Sequence, residues 1–267
     1  MNGAVFRTTL RESARSIAIV TLGLAAFFYL VLLSSSAFLD DIFAAPGFFR
    51  QPPKAIEAFL GGSANFLEPS GWLVTAMMHP VALALATVAA VGIAAGAVAT
   101  ELERGSLELV LARPVSRRAF LMGKLGASLV AVTAAQAGGV AGVLIARLTV
   151  DRVDEIALSD VLVTFLGAWL LFAAFAAVAT FFSAGSSLRG RALAAGVGVI
   201  VASFFANFMA LLFDEVSGLR YATPFLYFRP GELMEGRAVA DLGVLLVLGV
   251  LFTALAIHRF RHRDLTR

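Results

Sequence analysis

The sequence predicts an all-α membrane protein with six transmembrane helices, further helices at the membrane surface, and both termini in the cytoplasm. Apolar residues make up 60% of the 267 residues, whereas only 15% are charged. The mean hydropathy of +0.89 is too high for a soluble protein, which must cover its surface with polar groups. Apolar stretches of roughly 20 residues, long enough to cross a hydrocarbon core about 30 Å thick, recur along the chain.

Six segments are predicted to cross the membrane, and no linker is long enough to divide them into separate domains. They are residues 16–36, 72–100, 119–146, 160–182, 192–213 and 241–258. The whole chain, residues 1–267, is therefore predicted to form one transmembrane domain. Between the first two spans, Ile56, Phe59 and Leu60 form an apolar pattern that predicts a short interfacial helix.

The distribution of Lys and Arg predicts the orientation. An even number of spans places both termini on one side, and that side carries 14 of the 21 basic residues against 7 on the other. Because basic residues concentrate on the cytoplasmic side, we predict a multi-pass protein of the plasma membrane with cytoplasmic termini. The net charge of +3 reflects this placement and does not indicate a nucleic-acid partner.

The amino-terminal segment is predicted to lie along the inner membrane surface, since its basic and apolar residues occupy opposite helical faces: Arg7, Arg11 and Arg15 on one, Phe6, Leu10 and Ile17 on the other.

The composition excludes several classes of enzyme and carrier. There is no Cys, so cysteine nucleophiles, thiolate metal sites and disulfide scaffolds are excluded, and only three His are present. The Gly-x4-Gly-Lys-Ser/Thr phosphate loop is also absent from the sequence. No Asp or Glu lies inside a predicted span away from its ends, which disfavours an ion-coupled carrier. The chain is predicted not to be an enzyme; if it drives transport, the energy comes from a partner.

Two amides lie inside the predicted spans. Gln136 is near the middle of the third span and Asn207 is within the fifth. We expect both mainly to form hydrogen bonds between helices, with a place on a translocation path as the alternative.

Glycine pairs at four-residue spacing occur on the second and third spans, at Gly92 and Gly96 and at Gly138 and Gly142. Such pairs let helix backbones approach closely. Close packing within one subunit is the main expectation for both pairs, and a homodimer seam or a sliding gate is the alternative.

The segment joining the second and third spans, residues 101–118, carries the most informative local pattern. Gly105 ends the incoming helix, Ser106 is a good N-cap for a short helix, and Pro114 ends that helix. Ser116 can cap the third span. Three apolar residues of the short helix form a ridge at i, i+3 and i+4: Leu107, Val110 and Leu111. A ridge of this kind suits a groove in a partner protein and a lipid surface equally well.

One string in this segment resembles the signature of the type-2 ATP-binding-cassette (ABC) permeases: Glu101-x-Glu103-Arg104-Gly105-Ser106-Leu107-Glu108-Leu109-Val110-Leu111-Ala112-Arg113-Pro114-Val115-Ser116-Arg117, followed by Gly123-Lys124. In that family the corresponding run forms a coupling helix that fits a cleft on the ATPase subunit. Ser106 stands where Thr is usual and Val110 where Leu is usual. Weaker similarities, at Glu68-Pro69-Ser70-Gly71-Trp72 and Thr223-Pro224-Phe225, extend the resemblance over nearly the whole chain.

The resemblance implies the membrane-spanning permease subunit of an ATP-driven ABC transporter, working as an exporter. The implied partners are two copies of an ABC ATPase subunit, which bind ATP and Mg, a second permease copy or a paralogue, and membrane lipids. No cofactor is expected in this chain itself. The implied ATPase-coupling residues are Glu101, Glu103, Arg104, Gly105, Leu107, Glu108, Val110, Leu111, Pro114 and Arg117, and residues 183–191 occupy the position of a second contact. The alternative is a non-transporting membrane subunit that anchors or regulates a partner, such as an assembly factor or an immunity protein.

Overall fold

The computed structural model describes residues 2–44, 54–59, 68–107 and 115–264, and every regular element in these ranges is helical. The α-helices are α1 Gly3–Ala44, α2 Lys54–Phe59, α3 Pro69–Met78, α4 Pro80–Ala94, α5 Ala99–Glu103, α6 Arg117–Thr149, α7 Leu158–Gly185, α8 Arg189–Leu212, α9 Pro230–Met234 and α10 Leu242–Arg261. Short 3₁₀ turns lie at Val153–Glu155, Asp214–Ala222, Pro224–Tyr227 and Val239–Asp241. In the described residues, α1, α6, α7, α8 and α10 are long and apolar enough to cross a membrane, and the bent pair α3 and α4 makes a sixth crossing if counted as one span. The predicted all-α, multi-pass membrane fold is confirmed.

Helices α6 and α7 form the centre of the bundle. α7 is the most buried of the long apolar helices and packs against α4, α6, α8 and α10. α1, α8 and α10 lie at the periphery and expose large apolar side chains, such as Leu22, Val247 and Val250. In a membrane protein these outer faces suit contact with lipid tails or another apolar helix.

The longest helix, α1, runs without a break for 42 residues. At 1.5 Å per residue it is about 63 Å long, roughly twice the thickness of the hydrocarbon core. Its first turn packs against the start of α6, where Gly123 lies beside Val5 and the Asn2 carbonyl, and Asn2 also donates its backbone N–H to Ala119. The amino-terminal segment is thus continuous with the first span rather than a separate surface helix, because no Gly or Pro interrupts residues 4–22.

α1 and α6 meet backbone to backbone at Gly138 and Gly142. A Cβ atom added to Gly138 would lie 2.2 Å from the Thr21 carbonyl oxygen, and one added to Gly142 would lie 2.2 Å from that of Ala25. Only glycine permits this approach, which also suits weak Cα–H···O contacts. The expectation that this pair packs within one subunit is confirmed.

The second span is broken, in contrast to the single predicted helix over residues 72–100. α3 and α4 are bent by 51° at His79, because Pro80 lacks an N–H and begins a new helix. The His79 ring accepts a hydrogen bond from the Val81 N–H and caps α4. A second interruption, over residues 95–98, separates α4 from α5.

The first and last described residues, Asn2 and Asp264, adjoin helices that meet at one end of the bundle, which we call the termini end. Asn2 contacts Ala119 near the start of α6, and Arg117 contacts the end of α10. The predicted short helix between the first two spans exists as α2, which belongs to the opposite end, packs against α8 and pairs Lys54 with Asp214. That it lies in the membrane interface stays a prediction. Leu60, the last residue of its predicted apolar pattern, is outside the described residues. That the termini end faces the cytoplasm stays a prediction.

Candidate functional site

The segment of residues 101–118, which runs from α5 into the start of α6 and which we call the connector, is described at both of its ends, residues 101–107 and 115–118. Six of the predicted coupling residues lie in these described parts: Glu101, Glu103, Arg104, Gly105, Leu107 and Arg117. The other four, Glu108, Val110, Leu111 and Pro114, lie outside the described residues. The connector is attached to the bundle at several points.

Glu101 links α5 to α6. Its carboxylate forms an ion pair with the Lys124 ammonium group at 2.9 Å and accepts a hydrogen bond from the Ser106 hydroxyl. Only 11% of the Lys124 side chain and 17% of the Glu101 side chain are exposed. Burial raises the pKa of Glu101, but hydrogen bonds from Lys124 and Ser106 and the positive charges of Lys124 and Arg104 outweigh it, so this pKa lies below its ordinary value. The ion pair therefore persists at neutral pH.

Glu103 links α5 to α8. Its carboxylate accepts a hydrogen bond of 2.9 Å from the backbone N–H of Arg189, the first residue of α8. The residue before it, Leu188, cannot cap the helix with its side chain. A carboxylate at a helix N-terminus satisfies a free N–H and interacts favourably with the helix dipole. Glu103 thus acts as the cap of α8.

Gly105 turns the chain out of α5. Its φ is +69°, a left-handed conformation that favours glycine. The Ser106 N–H donates to the Glu101 carbonyl and the Gly105 N–H to the Leu102 carbonyl, the two bonds of a Schellman helix end. The predicted role of Gly105 as a helix terminator is confirmed. The Ser106 hydroxyl donates to the carboxylate and the carbonyl oxygen of Glu101. Its predicted role as the N-cap of a following helix stays a prediction, because that helix lies outside the described residues.

Leu107 is placed differently from the expected exposed ridge. Its side chain is 2% exposed and belongs to an apolar cluster at the termini end that also contains Val98, Phe120 and Phe260. Burial stabilises Leu107 by removing its side chain from water. It therefore holds the connector onto the bundle and is not available to touch a partner. The amphipathic pattern did not reveal this, because it shows that a residue is apolar but not what covers it.

Arg117 joins the start of α6 to the end of α10. One guanidinium nitrogen donates to the carbonyl oxygens of Phe260, Arg261 and Arg263, at 3.1, 3.1 and 2.7 Å. Arg263 in turn donates to the carbonyls of Ala184 and Ser186 at the end of α7, at 2.8 and 2.9 Å. Cationic side chains at helix C-termini donate hydrogen bonds to free carbonyls and interact favourably with the helix dipole. Arg263 was not predicted as a site residue, and only its place after a helix gave a signal.

The interruption between α4 and α5 is held by a side chain from α7. The buried Ser183 hydroxyl oxygen accepts hydrogen bonds from the N–H groups of Val98 and Ala99, at 3.0 and 3.1 Å. These N–H groups start α5 and have no acceptor in α4. Ser183 therefore caps α5 from a neighbouring helix. This residue lies in the segment predicted as a second contact, residues 183–191.

A cavity of about 400 Å³ lies beside α5, between α1, α4, α6 and α8, and we call it the termini-end cavity. Its polar wall consists of Thr9, Glu12, Ser13, Ser16, Thr100, Glu101, Arg104, Lys124 and Arg189. Its apolar wall consists of Ile17, Val20, Val88, Ala89, Ile93 and Ala131, with Gly92 and Gly96 between them. A Cβ added to Gly92 would meet no atom of another described segment within 4 Å, so this pair lines a cavity and not a helix seam.

Gln136 and Asn207 each face a different, smaller cavity. Gln136 borders a middle cavity of about 20 Å³, enough for about one water molecule. Asn207 borders an opposite-end cavity of about 180 Å³ together with Arg220 and Arg229. Neither amide forms a hydrogen bond to another described residue, so the expected bonds between helices are not found there. Phe228 lines both cavities.

The comparison with known protein families gives one extensive match. Residues 4–265 match the family described as "ABC-2 family transporter protein". A comparison with curated protein sequences finds no match. The match covers nearly the whole chain, including the connector, the broken second span and the carboxyl-terminal helix. The chain therefore belongs to the ABC-2 transporter family and is a membrane permease component of an ABC transporter.

Proposed function

We propose that this chain couples ATP hydrolysis by a separate ABC ATPase to the export of a substrate. In this proposal two ATPase copies bind ATP and Mg, and a second permease copy or a paralogue completes the membrane part. The connector receives the movement of the ATPase. The family membership supports association with an ABC ATPase in general.

The attachment of the connector to several helices carries the proposal. At one end, Glu101 and Glu103 tie it to α6 and α8. At the other end, Arg117 ties it to α10. A force on the connector is therefore transmitted to three membrane helices at once, as coupling requires. A loop that only rested on lipid would need none of these bonds.

The three cavities support a translocation path along α4. The termini-end cavity lies along residues 88–96, the middle cavity along residues 82–86, and the opposite-end cavity at Met78, beside the bend. They therefore follow one another along the broken second span. We propose that tilting of this span joins them, which would place Gln136 and Asn207 on the path.

We assign docking of the ATPase to Val110 and Leu111, the two residues of the predicted ridge other than Leu107. Because Leu107 is buried within the chain, Val110 and Leu111 remain as the apolar residues of the predicted ridge. A single apolar anchor buried at an interface contributes on the order of 1.5–3 kcal/mol. Its loss should loosen the complex without unfolding the permease.

The test compares Leu111→Ala with Leu107→Ala in the full chain, co-expressed with the candidate ATPase. Leu111→Ala should reduce the amount of ATPase that co-purifies and leave the Tm of the permease unchanged. Leu107→Ala should lower the Tm, because deleting a buried leucine side chain costs about 2–5 kcal/mol. If the parent chain retains no ATPase, or if Leu111→Ala retains as much as the parent, the proposal is wrong in its partner or in its docking residue.

A second experiment separates coupling from docking. Glu103→Gln keeps an acceptor for the Arg189 N–H but removes the charge that interacts with the α8 dipole. We expect normal ATPase binding and less substrate moved per ATP hydrolysed. Glu215→Gln, an exposed residue at the opposite end, is the matched control and should behave like the parent. Equal coupling ratios in both variants would contradict a coupling role for Glu103.

A further inference from the structure

The termini-end cavity has the size and position of a ligand site. α1 and α8 both pack on α4 but make few contacts with each other among the described residues, which leaves a groove between them. The volume of about 400 Å³ is within the range of small-molecule sites, roughly 300–1,000 Å³. Its walls are chemically divided, with charged groups near the connector and apolar side chains further along α1 and α4.

The charged wall has an excess of unpaired positive charge. Lys124 is neutralised by Glu101 at 2.9 Å. No carboxylate oxygen lies within 4 Å of the guanidinium nitrogens of Arg104 or Arg189 among the described residues; the Glu103 carboxylate binds the Arg189 backbone N–H instead. The Arg189 guanidinium makes a long hydrogen bond of 3.4 Å to the Gly92 carbonyl. Glu12 is the one remaining acid on this wall and is likewise unpaired in the described residues. Two guanidinium groups without a direct ion pair, against one carboxylate without one, favour an anion, and guanidinium binds phosphate oxygens particularly well.

The apolar wall suits a hydrocarbon chain. Ile17, Val20, Val88 and Ile93 continue the cavity along α1 and α4, away from the connector. Gly92 leaves space between them, because nothing described lies within 4 Å of where its Cβ would be. A hydrophilic anion would leave this surface in contact with water, whereas a tail would cover it and gain free energy from burial.

We propose that the termini-end cavity binds an amphiphile with a phosphate head group and a hydrocarbon tail. The head group lies between Arg104 and Arg189, and the tail lies along the apolar wall. The further statement that such an amphiphile is the transported substrate rests on the proposed transport function. The binding step itself needs neither ATP nor the ATPase, so it can be tested alone.

The binding experiment uses the full chain purified in mild detergent and a fluorescent monoacyl glycerol phosphate as the probe. Arg189→Gln should weaken binding about tenfold, the effect of losing one charge-assisted hydrogen bond to an ion. The Glu103 contact uses the Arg189 backbone, so this substitution leaves it intact. Arg191→Gln, two residues along the same helix but not on the cavity wall, is the matched control and should bind like the parent.

Two further variants test the sign and the position of the interaction. Glu12→Gln should tighten probe binding, because it removes a negative charge that faces the phosphate. Gly92→Leu should abolish binding of the tail, because its side chain would occupy part of the cavity beside the apolar wall. The Tm should not fall, since no described atom lies within 4 Å of the added Cβ. Inorganic phosphate and an alkyl maltoside serve as competitors that carry only the head charge or only the tail.

Several results of these experiments would overturn the proposal. The proposal is overturned if Arg189→Gln binds the probe like Arg191→Gln, or if Glu12→Gln weakens binding. Displacement by millimolar inorganic phosphate would show a free-anion site, and equal affinity for the maltoside would show a general apolar groove; either overturns the amphiphile assignment. Retention of the ATPase is measured in the same preparations. A parent chain that binds the probe but retains no ATPase removes the proposed transport function and leaves the binding site intact.

Discussion

The two glycine pairs have the same spacing and opposite surroundings. Gly138 and Gly142 face the α1 backbone so closely that an added Cβ would lie 2.2 Å from a carbonyl oxygen at each position. A Cβ added to Gly92 would meet no described atom within 4 Å, and one added to Gly96 would lie 2.7 Å from the Thr100 hydroxyl and 3.6 Å from both the Arg189 side chain and the Ile93 carbonyl. One pair is a helix seam, whereas the other is part of a cavity wall beside an interrupted helix.

The difference shows what a small-residue motif does and does not determine. Glycine at i and i+4 permits close approach, but the approach occurs only where another helix lies opposite. α1 lies opposite the third-span pair, whereas α1 and α8 leave a gap opposite the second-span pair. We infer that the seam fixes α1 to α6 while the cavity side keeps room for movement.

The largest expected effect tests the seam. Gly142→Ala places a methyl group against the Ala25 carbonyl, which belongs to a helix backbone and cannot rotate away. Overpacking of this kind costs about 1–3 kcal/mol, so we expect a clearly lower Tm in detergent. Gly23→Ala is a matched control in α1, because its Cβ would meet only Leu85 side-chain atoms at 3.5 Å, an ordinary contact. If both variants melt at the same temperature, the close approach of α1 and α6 is wrong.

The seam and the spans illustrate how far the sequence could predict this structure. Long apolar stretches predicted the helices, and the local chemistry of Gly105 and Ser116 predicted a helix end and a helix start. Ser116 does accept a hydrogen bond from the Ala119 N–H. These features depend on residues near each other in the chain, which a pattern can show.

Features that depend on distant residues were not predictable in the same way. Leu107 is apolar in any arrangement, and only the positions of Phe120 and Phe260 make it an internal residue. The capping of α5 by Ser183 joins residues more than 80 positions apart. The bend at Pro80 is different, because proline inside an apolar stretch is itself a signal of a broken span.

A second, smaller effect concerns the interrupted helix on the cavity side. Ser183→Ala removes the acceptor for the Val98 and Ala99 N–H groups, which are buried. Loss of a helix cap costs about 1–2 kcal/mol, and the Tm should fall accordingly. Hydrogen exchange should rise at the start of α5 and not in α6. Ser187→Ala is the control, because Ser187 forms no side-chain hydrogen bond in the described part of the chain; equal exchange in both variants would contradict the capping role.

The third prediction is a rise in Tm, opposite in sign to the fall in Tm that we expect at the seam. Gly92→Ala replaces glycine inside a helix and introduces no clash, so it should stabilise the protein by up to about 1 kcal/mol. The Tm should rise slightly, whereas Gly142→Ala lowers it. A destabilised Gly92→Ala variant would mean that another helix lies against this pair, and the contrast between the two pairs would disappear.

The smallest expected effect is a pH dependence of the Tm, which we expect from the cavity side and not from the seam. No ion pair holds α1 to α6 at the seam among the described residues, whereas the cavity side is held partly by the ion pair of Glu101 and Lys124. Because the pKa of Glu101 is lower in the folded chain than its ordinary value of 4.5, its charge stabilises the fold at neutral pH. That stabilisation is fully present above the ordinary pKa and is lost as the pH falls through the lowered one.

Glu101→Gln keeps a hydrogen-bond acceptor but cannot titrate, so the difference in Tm between parent and variant should be constant from pH 8 to about pH 5 and shrink below about pH 4.5. In a Gly142→Ala background the same pH dependence should remain, since no titratable group touches the seam in the described residues. A parent and a Glu101→Gln variant with parallel Tm profiles down to pH 3 would show that this carboxylate does not hold the connector by its charge.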